Sequence, residues 1–596
     1  MTILDTPSRP SPGATVDERG AGFRVWAPHA DAVGVVGDFN DWVGGTHPLE
    51  STDDGQWVGR VDGATAGQEY RFEITNGDDT FLRIDPYARE VTNSVGNAVL
   101  VAPASGTRDG DFSPPSLNEL VVYEMHVGTF NRLDEDGVGT FDSVGARLDY
   151  LAWLGINAIE IMPVAEFAGD ISWGYNPAHI FAIESAYGGP EAFKRLVAGA
   201  HERGIAVIMD VVYNHFGPSD LAIWQFDGWS ENDKGGIYFY NDHRSETPWG
   251  DTRPDYGRPE VRDYIRDNAR MWVEDYAVDG LRYDMTLYMR STQGVEDDIE
   301  DGWTLAQWVN DGIRAEHPDK ILIAEDLRSN AAVTTPKQDG GACFNTQWDE
   351  GFVHPVRAAL AEMDDANRDV QAVAAAITNR YNHDVFERVV YTESHDEVAN
   401  GKQRLPSEID ADNPTGWYAE RRSGLGALLV FTSPGVPMIF QGQEFLRDRW
   451  FDDNRAIDWD VAGEQDNVMR LYRDLIRLRR NVDGHSSGLT GQEVQVIHAN
   501  DEAKVIAFRR WREDDPAGET LVIVNLAARE WGDYRIGAPG DGAWTCRFDN
   551  GSAHYLDPAG TLARPVIEAE QPGQDGLERS LVMTLAPYAG LVYTRG

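Results

Sequence analysis

Apolar and polar positions follow two different rhythms along the chain. In the first hundred residues, the segments GFRVWAP, AVGVVGDFNDW, QWVGRVD and EYRFEI alternate or carry β-branched and aromatic side chains, with turn residues between them. Such runs form short antiparallel strands. They predict an N-terminal immunoglobulin-like β-sandwich over residues 21–105, behind a loose Pro-, Gly- and Ser-rich tail over 1–20. The polar stretch SGTRDGDFSPPSLNE then reads as a domain boundary.

From Leu120 the rhythm changes to unbroken apolar runs at 120–127, 156–164, 204–212, 279–284, 321–326, 343–348, 388–396 and 436–444. Amphipathic stretches such as 190–203, 260–276 and 302–316 separate them. Strands apolar on both faces and spaced by helices predict a parallel sheet covered on each side. Eight such strands predict an α/β fold, a (β/α)8 TIM barrel over 118–481, with a doubly wound sheet as the competing arrangement. After a further helix at 467–480, the strands EVQVIHA, KVIAFRRW, TLVIVNL, SLVMTL and GLVYT predict a C-terminal antiparallel β-domain over 482–596.

Composition narrows the function. With 99 acidic and 52 basic residues the chain carries a formal charge of −47. Phosphate binding runs on Lys and Arg, so nucleic acid and anionic membranes are poor partners, and a neutral ligand fits better. The excess charge also suits solubility and a salt-adapted host. Cys343 and Cys546 are too few and too far apart for a disulfide framework or a zinc site, and a reducing, cytoplasmic setting is expected. The start MTILDTPSRPSPG has no basic segment followed by an apolar run, so no signal peptide is expected. The apolar stretch 426–440 is interrupted by Pro434 and Pro437 and is too short to span a bilayer.

Active sites of such barrels lie at the C-terminal ends of the strands. Those ends carry Asp210, Asn214 and His215 in DVVYNH, Arg282 and Asp284 in GLRYD, Glu325 and Asp326 in AED, and His395 and Asp396 in SHD. Carboxylates gathered at one mouth repel one another and lose hydration, which is costly without a task or compensating cations. Two of them across a sugar ring are the equipment for glycosidic cleavage, one attacking the anomeric carbon and the other protonating the departing oxygen. Arg282 lies two residues before Asp284, on the same face of the strand, where it can keep that carboxylate ionised.

These four segments, in this order and on these strands, resemble the four short regions of the α-amylase superfamily, glycoside hydrolase family 13. The resemblance runs from about residue 20 to the end. It implies Asp284 as nucleophile, Glu325 as general acid/base and Asp396 as the third carboxylate, acting through sugar hydroxyls. It further implies that Arg282, His215 and His395 bond the ring being cleaved, that Asp210 braces the set, and that Tyr175 of WGYNP is the aromatic platform. Trp348 and His354 of TQWDEGFVH are expected at the same mouth. The front module, through GFRVWAP and GDFNDW, is similar to glycogen-binding-type modules; Trp26, Trp42 and Trp57 are sugar platforms or core and docking residues, with the structural role favoured.

The implied reaction is retaining cleavage of an α-1,4-glucan, and the acceptor decides the product. YEMHVGTF, IEIMPVAEFAGDISWGY and TPWGD resemble malto-oligosyltrehalose trehalohydrolases, whereas SHDEVANGKQRL, PMIFQGQEF and RWFDDNRAIDW resemble glycogen branching enzymes. Met285 departs from both groups, which place a small residue after the nucleophile. Transfer to a C6 hydroxyl is the favoured outcome and hydrolysis, to trehalose or as an endo-amylase, the alternative; a trehalose-forming isomerase and a silent glucan-binding scaffold are less favoured. No cofactor is expected. A structural Ca²⁺ held by Asp, Asn and carbonyl oxygens is compatible with the composition, but no ligand spacing places it.

Overall fold

The computed structural model describes residues 11–102, 112–133, 137–555 and 562–595. Its centre is a closed barrel of eight parallel strands: β1 (Val122–Met125), β2 (Ala158–Ile161), β3 (Ala206–Val211), β4 (Gly280–Tyr283), β5 (Ile321–Ala324), β6 (Thr346–Trp348), β7 (Arg388–Val390) and β8 (Val436–Phe440). Each strand pairs with the next in sequence, and β8 closes on β1. All eight fall inside the apolar runs of the sequence, so the doubly wound alternative is excluded. The strands are buried throughout because helices cover the outer face and side chains fill the inside.

The covering helices start where the sequence supplies a start. Pro190 and Pro259 occupy the first turns of helices Gly189–His201 and Pro259–Glu274, where a missing N–H costs nothing. Helices Glu300–Glu316 and Asp466–Arg479 fill two further expected positions. None of the described helices is long and apolar enough to cross a membrane.

The barrel is interrupted after β2 by an antiparallel hairpin, Ala165–Phe167 with Pro177–Ile183, which the apolar runs did not announce. The loop between its strands carries Trp173 and Tyr175 towards the mouth.

The front module packs two sheets, one built on Gly13–Asp17, Gly20–Trp26 and Gln56–Asp62, the other on Ala32–Gly37, Glu69–Asn76 and Asp79–Arg83. Residues 13–17 were expected in a loose tail. Instead they form a strand, because a turn at 18–19 folds them antiparallel onto Gly20–Arg24. Residues 1–10 of that tail and residues 105–111 of the expected boundary lie outside the described residues. Phe23, Tyr70 and Phe72 pack edge to face at the module's centre. Trp26 docks the module by meeting Tyr238 of the barrel at 5.5 Å, with planes 84° apart. Trp57 is tied to the Ala27 carbonyl at 2.9 Å and Trp42 to Asp38 at 3.0 Å. His29 adds a 2.9 Å contact to the buried Asp227.

The C-terminal region forms a six-stranded sheet and a strand pair, Trp531–Ala538 with Arg579–Leu585. Its five expected strands are joined by Trp531–Ala538, Ala543–Asp549 and Val566–Glu568. Cys343 and Cys546 are both free thiols.

Candidate active site

Arg282 organises the mouth. It stands on β4, fully buried, with three carboxylates around one guanidinium. Nη1 lies 2.6 Å from Asp210 of β3 and 3.1 Å from Asp284, while Nη2 lies 2.7 Å from Glu325 beyond β5. Parallel pairing sets this geometry, because Asp210 and Arg282 are register partners. Asn214, in the turn after β3, donates to Asp284 Oδ2 at 2.7 Å and to its carbonyl at 2.9 Å. Charge-assisted contacts from a fixed fork position carboxylates better than point charges do.

Met285, which follows Asp284, has φ = 37°, a left-handed backbone that costs an L side chain of order 1–3 kcal/mol. The turn brings its N–H to Glu325 Oε2 at 3.0 Å. Two acids on adjacent strands are thus connected through both a side chain and a backbone amide.

Burial raises the pKa of all three carboxyl groups, and Arg282 opposes the rise. Glu325 is pushed to about 7 and Asp210 to about 6, while Asp284 is raised with Arg282 and Asn214 resisting. In Glu325 the neighbouring Asp284 adds to the rise. An acid that keeps its proton near neutrality beside a better-held carboxylate is the division of labour that acid-assisted displacement requires.

Tyr175 donates its hydroxyl to Asp210 Oδ2 at 2.6 Å and stacks on His395 at 4.9 Å, with planes 24° apart. His395 is gripped by Glu124 of β1, which takes its Nδ1 at 2.5 Å and its backbone N–H at 3.0 Å. Burial disfavours the imidazolium, but the Glu124 charge and hydrogen bond together outweigh it and raise the pKa. Asp396, the next residue, is not on the Arg282 cluster. It sits on the rim, 45% exposed, with Oδ2 3.6 Å from Lys402 Nζ.

Two of the expected sugar contacts also brace their neighbours. Both nitrogens of His215 already face protein oxygens, Asn214 Oδ1 at 2.5 Å and the Tyr175 carbonyl at 2.8 Å, and burial lowers its pKa to about 4. The ring stacks on Trp249 at 4.6 Å and braces the Tyr175 loop. Trp348 is 2% exposed, and the Arg282 guanidinium lies over its face at 4.4 Å, so it is a cation–π floor for the arginine. His354 is exposed and approaches Glu397 at 4.0 Å.

Sequence reasoning passed over Glu124 and Glu160. Each is a carboxylate inside an apolar barrel strand, LVVYEMHV and INAIEIMPV, and that anomaly was the available signal. They are register partners on β1 and β2. Glu160 is buried, neither oxygen has a hydrogen-bond partner among the described residues, and burial raises its pKa well above the usual range. The rim was missed as well. Trp173, Gly401, Lys402, Trp450 and Phe451 line a cavity of about 460 Å³, and Trp173 also meets His395 at 5.7 Å.

The carboxylates of the Arg282 cluster share a guanidinium, whose charge opposes a cation at the same place. Among the described residues one group, Glu274, Glu316 and His317, brings metal-type ligands together. It lies on the surface and Arg270 already pairs with both glutamates.

The closed parallel barrel and its acid-lined mouth define a carbohydrate-active barrel enzyme. Residues 125–515 match the α-amylase catalytic domain, and the chain belongs to that family, glycoside hydrolase family 13. Residues 12–88 match carbohydrate-binding module 48, the isoamylase N-terminal domain, and 496–596 the α-amylase C-terminal all-β domain. The chain is 30% identical over 610 residues to 1,4-alpha-glucan branching enzyme GlgB of Salinibacter ruber, covering 97% of this chain and 95% of that one. It is 31% identical to the protein of the same name from Corynebacterium jeikeium, over 96% and 82% of the two chains. Pullulanase from Anoxybacillus sp. LM18-11, solved with maltotriose, superposes with a TM-score of 0.76 at 20% identity, over 98% of this chain and 86% of that one; this likeness concerns the fold.

Proposed function

We propose that this protein is a 1,4-α-glucan branching enzyme. Asp284 attacks the anomeric carbon of an internal glucosyl unit while Glu325 gives its proton to the departing O4, leaving a covalent glycosyl–Asp284 ester. The C6 hydroxyl of a second chain then displaces Asp284, returns its proton to Glu325, and completes an α-1,6 bond. Arg282 holds both acids in place, Tyr175 lies under the ring, His395 offers it Nε2, and Asp396 reaches the sugar hydroxyls from the rim. The observation that carries the chemistry is the sharing of one buried arginine by Asp284 and Glu325. The choice of acceptor rests on the curated relatives, whose printed names are those of branching enzymes. A cavity of about 460 Å³ on the rim, lined by Trp173, Lys402 and Trp450, suits a glucan chain. We place the activity in the cytoplasm, a reading supported by the two unpaired cysteines.

Incubation with amylose followed by a linkage count tests this. New α-1,6 linkages without a matching rise in reducing ends are expected. Reducing ends, or trehalose from trehalosyl-capped oligosaccharides, would make the protein a hydrolase.

A further inference from the structure

Strand alternation places Glu160 inside the barrel. Ala158, Ile208 and Ile323 belong to one apolar cluster within the ring. Glu160, Asp210 and Glu325 each stand two residues further along the chain and point to the same side. Glu160 pairs in register with Ile208, so Asp210 is its diagonal neighbour on β3, and Arg282 stands beside Asp210 on β4. Glu160 therefore lies one step beneath the Arg282 cluster, 1% exposed.

Several hydrogen-bonding atoms meet at this level without partners. Arg282 commits Nη1 to Asp210 and Asp284 and Nη2 to Glu325, and its Nε–H has no partner among the described residues. Asp210 meets Arg282 and Tyr175 through Oδ2, while its Oδ1 has none among the described residues. The same holds for both oxygens of Glu160 and for the indole N–H of Trp348, whose ring the Arg282 guanidinium covers. Buried polar groups are costly when left this way. One open donor on Arg282, one open acceptor on Asp210 and an acid able to offer one of each form a matching set.

The match requires Glu160 to keep its proton, and the local charge count requires the same. Asp210, Asp284 and Glu325 already share Arg282, and Glu124, the register partner of Glu160, is committed to His395. An ionised Glu160 would add one more anion to a buried site that holds one guanidinium and one imidazole. Burial keeps the proton on, Glu124, Asp210 and Glu325 add to the effect, and Arg282 opposes it. An uncharged carboxyl donates one O–H and accepts at its other oxygen.

We propose that Glu160 is a positioning residue for the glucan reaction. As the neutral acid it donates towards Asp210 Oδ1 and accepts from Arg282 Nε, through a small side-chain rotation or one buried water. It thereby fixes the plane of the guanidinium that orients Asp284 and Glu325. An anion in its place would draw the guanidinium away from those two acids. This role rests on the reading of Asp284 and Glu325 as the reacting pair.

Glu160→Leu and Glu160→Gln test it against the wild-type chain. Leu fills similar space without hydrogen bonds. Gln keeps them, its amide donating and its carbonyl accepting, and has no proton to lose. Leu should lower kcat on amylose about tenfold with KM held within about twofold, and Gln should restore kcat to within about threefold of wild type. Difference infrared spectroscopy of wild type against Glu160→Gln at neutral pH should show the C=O stretch of a protonated carboxyl, a reading that needs no turnover. The alkaline limb of the kcat profile, set by Glu325, should stay in place in the Gln variant. Were Glu160 an anion, removing its charge would ease the ionisation of Glu325 and move that limb to lower pH. Gln as damaging as Leu, a harmless Leu, a shifted limb or a missing carboxyl band each overturns the inference. Should the Leu chain fail to fold, the infrared band and the Gln profile decide. Near-normal turnover by Asp284→Asn would instead sink the reading of the reacting pair, and the infrared band would still report on Glu160.

Discussion

Replacing Glu325 by Gln should separate the cost of the active site from its chemistry. The carboxyl is 6% exposed, and burial with Asp284 nearby lifts its pKa from an ordinary 4.5 to about 7. Because the folded-state value lies above the unfolded one, the native chain keeps this proton between about pH 4.5 and 7 while the unfolded chain releases it. The stabilisation this lends the fold is fully present below 4.5 and is lost as pH rises through about 7. At ~1.4 kcal/mol per pH unit, the loss amounts to about 3 kcal/mol. Gln keeps the volume and cannot ionise. The stability of Glu325→Gln relative to wild type should therefore rise by about 2.5 kcal/mol between pH 5 and pH 8, whatever its offset at pH 5 from altered contacts with Arg282. Urea unfolding at pH 5, 6, 7 and 8 measures this directly, and the difference between the two chains cancels the other buried acids to first order. A difference that stayed flat across the series would refute the raised pKa and, with it, the assignment of Glu325 as the proton donor.

Other outcomes follow from the same geometry. Asp284→Asn should lower turnover on amylose by about 10³-fold or more with the far-UV circular dichroism unchanged; near-normal turnover would remove it as nucleophile. Tyr175→Phe loses the 2.6 Å bond to Asp210 and should cost about tenfold in kcat/KM, and an unchanged value would take the hydroxyl out of the site. Activity should fall as pH rises through about 7, because Glu325 then loses the proton it must donate; a profile flat to pH 9 would contradict this. Trp26→Ala should destabilise the chain by roughly 3–5 kcal/mol through the emptied docking contact with Tyr238, read by chemical denaturation, and a loss under 1 kcal/mol would show that the module docks by other means.

The barrel was legible because each strand is buried on both faces and therefore written as an apolar run with helices between. The acids were legible because they stand at the ends of those runs. What escaped has a physical reason in each case. The hairpin at 165–183 pairs with itself and not with the barrel, so its strands are not among the eight spaced apolar runs. Strands such as Trp531–Ala538 bury only their last three positions and include two glycines, which dilutes the signal. Residues 13–17 looked like tail because a strand held by one neighbour needs little apolar content. Spacing puts Trp348 and His215 at the mouth but does not tell that the Arg282 guanidinium lies over the one and the Tyr175 carbonyl meets the other.

The single guanidinium under the acids has a consequence for life at variable ionic strength. Dissolved ions mask charge within about one Debye length of solvent, but they do not enter a sealed interior. The chain's net charge of −47 is therefore free to answer to brine or fresh water, while the buried pairing of Arg282 with Asp210 is screened far less.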